Sequence, residues 1–460
     1  MQAILAFLKL PLTILGRGFR WFTSASAAMQ LAAVVALFEL LIVLLAAVVV
    51  WIEGERAILQ AWWTPGKGFV LLGLLLFIPW LAYRAARLWF ERQGGRWPDI
   101  AAAWDAARAE MVRQQIQLHD VPVFLVLGTD GGDVERGLFA DTRVPLLVTQ
   151  SPAGSGPLHV FANNDGVFLC LSGAGQAAAV SRRMAIPDAG GAGTIAPLPL
   201  QERRQATDRL EFFCDLLVTA RRPLAPINGI MVIATLPVSR LAEPESIAFG
   251  QAVGDDLTVL VRSLGVRAPV TFVAATLQDD PAIGELLSRL TPGDRASAAG
   301  VAFPTGLPPT ATHLLDLAAN VAGPLVDRLV TIVLDPRKMN DQPANRDLVG
   351  MLCRQGLIVN QQMARLMTHA FGVEIRGGDP RTSVPLLAGV AVAAASSNPE
   401  RRAFVRGLID RVVSLQGELE WTPESLLADV WARRVARVLG VVALTMAALI
   451  AGLLWWKLSR

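Results

Sequence analysis

The chain has 460 residues, of which 53% are hydrophobic and 18% are charged, and its formal net charge is +3. The length allows roughly two to four domains, while the apolar content is too high for a purely soluble protein and too mixed for a polytopic transporter. The small net charge and the lack of basic runs interleaved with aromatic residues argue against nucleic acid as a partner.

Three apolar stretches predict membrane spans, at residues 31–52, 69–88 and 438–456. Each is close to the length of about 20 residues that crosses a bilayer. Lysines and arginines precede the first and third stretches and follow the second, which places the N-terminus and the main domain on the cytoplasmic side. Residues 1–22 mix apolar and basic side chains, as in a helix lying on a membrane surface.

Glu39 lies inside the first predicted span, where a carboxylate is costly and therefore suggests a function. No second acid stands inside the other two stretches, which disfavours a proton pathway. We interpret Glu39 as a packing or partner contact.

The region between the second and third stretches alternates between strand and helix patterns, which predicts a parallel sheet covered on both faces by helices. Predicted strands cover 123–127, 144–149, 158–162, 166–172, 227–235, 269–276, 300–303 and 384–395. Predicted helices cover 96–118, 201–221, 245–265, 281–290, 311–334, 343–371 and 399–413. Residues 187–199 are rich in Gly, Ala and Pro and indicate a loop.

The main domain is organised around the sequence VPVFLVLGTDGGDVE at residues 121–135. A buried strand followed at once by glycines is how a phosphate-binding loop begins. Counting G-x-x-x-x-G-K-[ST] from Gly128, however, places Asp133, Val134 and Glu135 where Gly, Lys and Ser or Thr belong. The phosphate-binding cation is missing and the acidic side chains would repel a polyphosphate. The alternative is an ordinary strand with a Gly/Asp turn.

Other catalytic chemistry has little support. Cys170, Cys214 and Cys353 are widely spaced, form no metal-ligand pattern with the four histidines, and are expected to be small core residues. No G-x-S-x-G elbow occurs. We therefore expect no metal, no cofactor and no disulfide.

The order of these landmarks resembles the IcmF/TssM family, the inner-membrane component of type VI secretion, over essentially the whole chain. CLSG at 170–173 stands where that family has an Asp-Thr-Ala-Gly type motif, and TLQD at 276–279 stands where it has a Thr-Lys-x-Asp type motif. Segments 226–230, 264–270 and 387–391 also look like counterparts.

The resemblance implies a P-loop-GTPase-like α/β domain with an appended helical subdomain and three transmembrane helices. The implied boundaries are 1–29 for the N-terminus, 30–90 for a two-span hairpin, 91–305 for the NTPase-like domain, 306–432 for the helical subdomain and 433–460 for the third span.

The same resemblance implies a degenerate nucleotide site. Cys170 replaces the acid near the metal, and Leu277 replaces the lysine that packs along a guanine base. Loss of the phosphate cation, the metal ligand and the base contact together predicts a pseudo-NTPase. The remnants are Gly128, Asp130, Gly131, Gly132, Gly173, Thr276 and Asp279. Arg136, just past the loop, is a candidate to fill the phosphate position, although a solvated charge is the simpler interpretation.

We expect an inner-membrane scaffold subunit whose pseudo-NTPase domain docks partners. The implied partners are TssL-like membrane subunits and cytoplasmic baseplate components. The sequence leaves open whether the chain forms a homo-oligomer. Family members usually continue into a large periplasmic region, whereas residues 457–460 provide only a short periplasmic tail. Two alternatives stay open: a membrane-tethered active NTPase, and a stand-alone membrane regulator outside a secretion system.

Overall fold

The computed structural model describes residues 27–53, 65–91, 96–185, 198–235, 243–333, 342–372 and 385–431, with single positions between 434 and 459. The predictions for residues 1–22 and for most of 187–199 and 438–456 lie outside the described residues. The chain divides into two compact units, one spanning 97–428 and the other formed by 1–96 and 429–460.

Helices α1 (Ala27–Glu53) and α2 (Pro65–Glu91) pack against each other in the smaller unit. Across the part of the chain that the structure describes, no helix combines the length and the apolar character that a membrane crossing requires. The three predicted spans therefore stay a prediction from the sequence.

The larger unit is built on an eight-stranded sheet with the order β2-β3-β4-β1-β5-β7-β9-β8. The strands are β1 (Val123–Leu127), β2 (Val148–Ser151), β3 (His159–Asn163), β4 (Gly166–Cys170), β5 (Gly229–Ala234), β7 (Pro269–Ala275), β8 (Ala299–Ala302) and β9 (Leu386–Ala393). The five strands from β4 to β9 in that order are parallel. The predicted parallel sheet is confirmed at its centre, but β3 and β8 run antiparallel to their neighbours.

Helices pack against this sheet and against one another. They are α3 (Pro98–Arg113), α4 (Asp133–Phe139), α5 (Gln176–Ala185), α6 (Leu200–Arg221), α7 (Glu243–Leu264), α8 (Ile283–Arg289), α9 (Pro292–Ala296), α10 (Ala311–Val333), α11 (Gln342–Leu357), α12 (Ala364–Phe371) and α13 (Val405–Ser414). The predicted helix 343–371 is interrupted by a π-helical segment, Ile358–Met363. The predicted helix 399–413 begins as a separate 3₁₀ turn, Pro399–Arg401.

The central strands are apolar throughout because both faces of the sheet are buried. Along β1, Val123, Leu125 and Leu127 belong to one core cluster. Phe124 and Val126 belong to the cluster on the other face, where Phe124 stacks on Phe168 of β4 with ring centroids 5.1 Å apart. This alternation fixes the register of β1 and therefore the position of the loop that follows it.

Arg221, at the end of α6, is a buried cation at the amino edge of the sheet. Its Nη1 donates to the carbonyl oxygens of Leu118 and Val121, both at 2.7 Å, and its Nε donates to that of Ala225 at 3.0 Å. Burial lowers the pKa of the guanidinium, and carbonyl oxygens supply its hydrogen bonds. The side chain therefore links the residues just before β1 to the residues just before β5.

The C-terminal end of the larger unit is attached through a second, two-stranded sheet. Strand β6 (Val266–Arg267) pairs antiparallel with β10 (Glu420–Trp421). The carbonyl oxygen of Gly265 accepts hydrogen bonds from Thr422 N and from Ser425 Oγ, at 3.0 and 2.9 Å. Residues 423–431 are helical, so this helix is fixed to α7 through one backbone carbonyl.

Candidate nucleotide site

The glycine loop lies where a ligand site is expected in an open α/β sheet. Strand β1 pairs with β4 on one side and with β5 on the other. Because the connections from β1 diverge here, the carboxyl end of β1 is the topological switch point, where such sheets form a crevice. Residues 128–132 follow β1 at this edge, and α4 begins at Asp133.

The backbone itself requires glycine in this loop. Gly128 and Gly131 have φ values of +82° and +85°, a region that residues with a side chain rarely adopt. A Cβ at Gly128 would also collide with the carbonyl oxygen of Ile233 and lie 2.8 Å from Phe249 Cζ. The spacing of these two glycines thus has a structural cause that needs no phosphate.

Two carboxylates of the loop are already engaged. Asp130 Oδ1 accepts a hydrogen bond from Gly132 N at 3.0 Å. This backbone N–H, which could otherwise bind a phosphate, is therefore occupied by a carboxylate of the loop. Asp133 Oδ2 accepts from Ser396 Oγ at 2.9 Å and from Ser397 N at 3.2 Å. Burial opposes ionisation of Asp133, but these bonds and the nearby Arg136 outweigh it, and the pKa lies below its usual range.

The phosphate end of the loop contains a buried acid and a buried base. Glu135, at the position of the Ser or Thr that would hold magnesium, has Oε2 2.8 Å from His159 Nδ1, and both side chains are fully buried. The ring of His159 lies over Gly131, since a Cβ there would be 3.1 Å from Cε1. From its place in the sequence, Arg136 was a candidate to fill the phosphate position. Arg136 instead lies half-exposed, 3.8 Å from Asp133.

Hydrogen bonding limits the protonation of His159. Nε2 lies 2.9 Å from the carbonyl oxygen of Gly154, which only accepts, so this nitrogen carries a proton. Nδ1 faces the acceptor Oε2 of Glu135 at 2.8 Å, so this nitrogen also carries a proton when the two side chains form an ion pair. Burial disfavours the imidazolium. The bond and charge of Glu135 and the Gly154 carbonyl outweigh burial and raise the pKa of His159.

Ser172 lies next to this pair but does not complete a catalytic triad. Its Oγ is 3.5 Å from the same Nδ1 that meets Glu135, whereas a triad uses the two ring nitrogens for different partners. The hydroxyl donates to the Gly156 carbonyl oxygen at 2.8 Å. Ser172 is also almost completely buried, so this cluster fixes the loop before β3 rather than activating a nucleophile.

Cys170 lies beside this pair, on β4. It pairs in register with His159 and is fully buried. Burial, reinforced by the charge of Glu135, raises the pKa of its thiol well above the usual value. A neutral thiol here offers no oxygen to magnesium.

The other two cysteines differ from each other: Cys214 is buried as predicted, whereas Cys353 is exposed. Among the described residues, no cluster of His, Cys, Asp and Glu has the geometry of a metal site.

The TLQD segment packs inward at the end of β7. Leu277 is fully buried and Thr276 Oγ1 donates to Gln355 Oε1 at 2.8 Å. Gln278 bonds to the backbone of Ala275 and Ala395. Burial, opposed by Arg401 and reinforced by Asp133, raises the pKa of Asp279. The fold therefore brings Asp279 close to Asp133 at the end of the glycine loop, while Thr276 contacts α11.

Gly173, the last predicted remnant, serves as a backbone junction. Its N–H donates to the Pro157 carbonyl oxygen at 2.8 Å, and its own carbonyl oxygen accepts from Arg209 Nε at 2.8 Å.

A cavity of about 270 Å³, lined by Arg143, Asn163 and Asp410 among others, lies towards the amino edge of the sheet. That cavity is therefore on the side away from the glycine loop.

His159 and Asp256 were missed by sequence reasoning. An isolated histidine at the start of a short strand gives no pairing signal across the 24 residues that separate it from Glu135. The burial of Asp256, in contrast, could have been predicted from the helix periodicity. It falls in the apolar stripe of α7, three residues after Val253 and four before Leu260, both of which are buried.

The loss of His159 is expected to reduce stability most at low pH. Because the folded pKa of His159 is raised, its stabilising contribution is complete below the unfolded value of about 6.5 and is lost as the pH rises through the folded value. We expect His159→Gln to lower the free energy of unfolding by about 2 kcal/mol near pH 5.5, and by less at pH 9. Denaturant unfolding followed by tryptophan fluorescence measures the difference.

His313→Gln is the matched control, since His313 is exposed, and its effect should be small at each pH. A difference between wild type and His159→Gln that stays constant or grows with pH would contradict the ion-pair assignment.

Residues 203–416 match the family model described as the IcmF-related N-terminal domain. This match is consistent with an IcmF/TssM-like protein and confirms, over these residues, the resemblance inferred from the sequence. It includes TLQD and β9 but begins downstream of the glycine loop and of CLSG. Neither the curated proteins nor the solved structures yield a match.

Proposed function

We propose, from the IcmF-related domain at residues 203–416, that this chain is a scaffold subunit of a type VI secretion-like complex at the bacterial inner membrane. Its larger unit is then a pseudo-NTPase that offers a docking surface. The partners we propose are a TssL-like membrane subunit and cytoplasmic baseplate components. The apolar stretches and flanking basic residues of the sequence support membrane attachment, with the main domain in the cytoplasm.

The observation that carries the pseudo-NTPase proposal is the buried pair of Glu135 and His159 over Gly131. A polyphosphate in a P-loop needs backbone donors, a lysine and a magnesium ligand. In this chain Asp130 accepts from the loop backbone, Val134 stands at the lysine position, and the Glu135 carboxylate is paired internally. A nucleotide would have to displace a fully buried ion pair before its phosphates reached the loop.

Hydrolysis would also lack electrostatic assistance. Phosphoryl transfer depends on cations that neutralise charge on the transferred group. The carboxylates of Asp130, Asp133 and Asp279 lie around the loop, and the nearby Arg136 and Arg401 partly offset the charges of Asp133 and Asp279. Such a surface raises the energy of a bound triphosphate.

Isothermal titration of the full-length, detergent-solubilised chain with GTP and ATP, each with and without magnesium, tests this proposal. We expect no binding heat at millimolar nucleotide, while a P-loop GTPase measured under the same conditions binds. Magnesium-dependent binding would overturn the pseudo-NTPase assignment and favour the membrane-tethered NTPase.

The same tagged chain, recovered from carbonate-washed membranes, tests the scaffold assignment. We expect it to co-purify with a small set of membrane and cytoplasmic subunits, where an equally tagged unrelated membrane protein does not. Recovery without such subunits would favour the stand-alone regulator, and loss of the chain from washed membranes would contradict membrane attachment.

A further inference from the structure

Helix α5 packs directly beside the glycine loop. It follows β4 after the CLSG segment and begins at Gln176, beside the glycine loop. In GTPases the switch segments are ordered by the γ-phosphate and its magnesium, and they are released on hydrolysis. The contacts of α5 therefore decide whether this chain can behave in the same way.

A carboxylate from another helix caps the N-terminus of α5. Asp256, in the middle of α7, accepts hydrogen bonds from Gln176 N on Oδ1 and from Ala177 N on Oδ2, both at 2.8 Å. These are the first two N–H groups of the helix, which have no partner within the helix. The negative charge also faces the positive end of the helix dipole.

Asp256 occupies this place at a cost. Its side chain is fully buried, and burial raises its pKa to about 7 although the two backbone bonds lower it. Many helices satisfy the same N–H groups with a local Ser, Thr or Asn that needs no buried charge. Here the cap comes from α7, which ties α5 to another helix instead of to its own loop.

Further contacts hold the same segment. Ser181 Oγ donates to the Gly128 carbonyl oxygen at 2.7 Å, so α5 is attached directly to the glycine loop. Gly175 N donates to the Ala206 carbonyl oxygen at 3.2 Å, and Gln176 Nε2 donates to Thr207 Oγ1 at 3.2 Å. Three neighbouring elements thus fix the start of α5: α6, α7 and the loop after β1.

We propose that Asp256 is an internal latch that holds α5 in one position without a ligand. Its two carboxyl oxygens accept from the first two N–H groups of α5, which a ligand would otherwise have to satisfy. The segment from Gly173 to Met184, most of which is buried, then keeps the same packing with or without a nucleotide. This inference rests on the contacts of α5 and not on the secretion role, and it goes beyond the loss of nucleotide binding.

Hydrogen–deuterium exchange on the full-length chain, read by mass spectrometry, tests the latch. In the wild-type protein, peptides covering residues 174–185 are expected to exchange slowly, and millimolar GTP with magnesium should leave that exchange unchanged. In Asp256→Ala, exchange of these peptides should rise about tenfold or more, because two charge-assisted bonds are lost. Peptides from β5 and β7 should keep their wild-type exchange.

Asp105→Asn, an exposed acid on α3, is the control and should leave all peptides unchanged. If Asp256→Ala does not fold, Asp256→Asn retains one acceptor and should show a smaller rise confined to the same peptides. Wild-type exchange at α5 that changes with GTP and magnesium would overturn the latch, as would slow exchange in both Asp256 variants. Calorimetry decides nucleotide binding separately, so the latch and the pseudo-NTPase assignment can fail independently.

Discussion

Replacing Arg221 by methionine is expected to lower the free energy of unfolding of the larger unit by about 3–4 kcal/mol. The substitution keeps the apolar stem but removes every donor. The carbonyl oxygens of Leu118, Val121 and Ala225 would lose their bonds to the guanidinium at once. Leaving a buried acceptor unpaired costs about 1–3 kcal/mol each, and relief of the buried charge offsets only part of this sum.

Denaturant unfolding of the purified chain, followed by tryptophan fluorescence, measures the Arg221→Met effect. Arg222→Met is the matched control because its side chain is exposed at the next position, and we expect a change within about 0.5 kcal/mol. Equal effects of the two substitutions would show that the carbonyl contacts of Arg221 contribute little to stability.

Replacing Gly128 by alanine is expected to destabilise the domain by about 3 kcal/mol or more. The new Cβ would hold a residue at a φ of +82° and would collide with the Ile233 carbonyl oxygen on the neighbouring strand. Backbone atoms of a central strand cannot move aside as a flexible side chain can. Thermal unfolding of the variant measures the loss as a lower midpoint.

Gly284→Ala is the control, since a Cβ at Gly284 meets nothing within 4 Å and the residue lies in α8. Alanine there should be neutral or should stabilise by up to about 1 kcal/mol. A wild-type midpoint for Gly128→Ala would refute the steric assignment. Sensitivity at Gly128 therefore does not by itself distinguish an NTPase from a scaffold. Nucleotide binding has to be measured directly.

The sequence predicted the centre of the fold because its signals are local. The apolar runs of β1, β5 and β7 are bounded by Gly, Pro or Asn, and the structure places them within a residue or two of the predicted limits. Strand direction is not local. Residues 299–302 look like any short apolar strand, and only the packing of β8 on β9 makes it antiparallel. The short helices α4 and α5 were missed because Gly and Ala dominate the segments that lead into them.

The sequence identified the loop positions that depart from a P-loop, but not the contacts that those residues make in the fold. Counting from Gly128 identified Val134 and Glu135 as the departures from a P-loop, which needs only spacing. What pairs with Glu135 depends on strand β3 lying beside β4, so His159 was not visible in the sequence. Arg136 was considered because it is near in sequence, but helix α4 directs it towards Asp133 on the exposed side.

The attachment at Gly265 has a practical consequence for dividing the molecule. Strand β10 and residues Thr422 and Ser425 complete the end of α7, although about 155 residues separate them along the chain. A cytoplasmic fragment that stopped before Glu420 would leave the Gly265 carbonyl without Thr422 and Ser425 and would remove the partner of β6. A fragment intended to fold alone should therefore run from Trp97 to at least Ala428, where the compact unit ends. The same attachment gives any tension applied to the C-terminal segment a direct route into the central sheet, through β6 and α7.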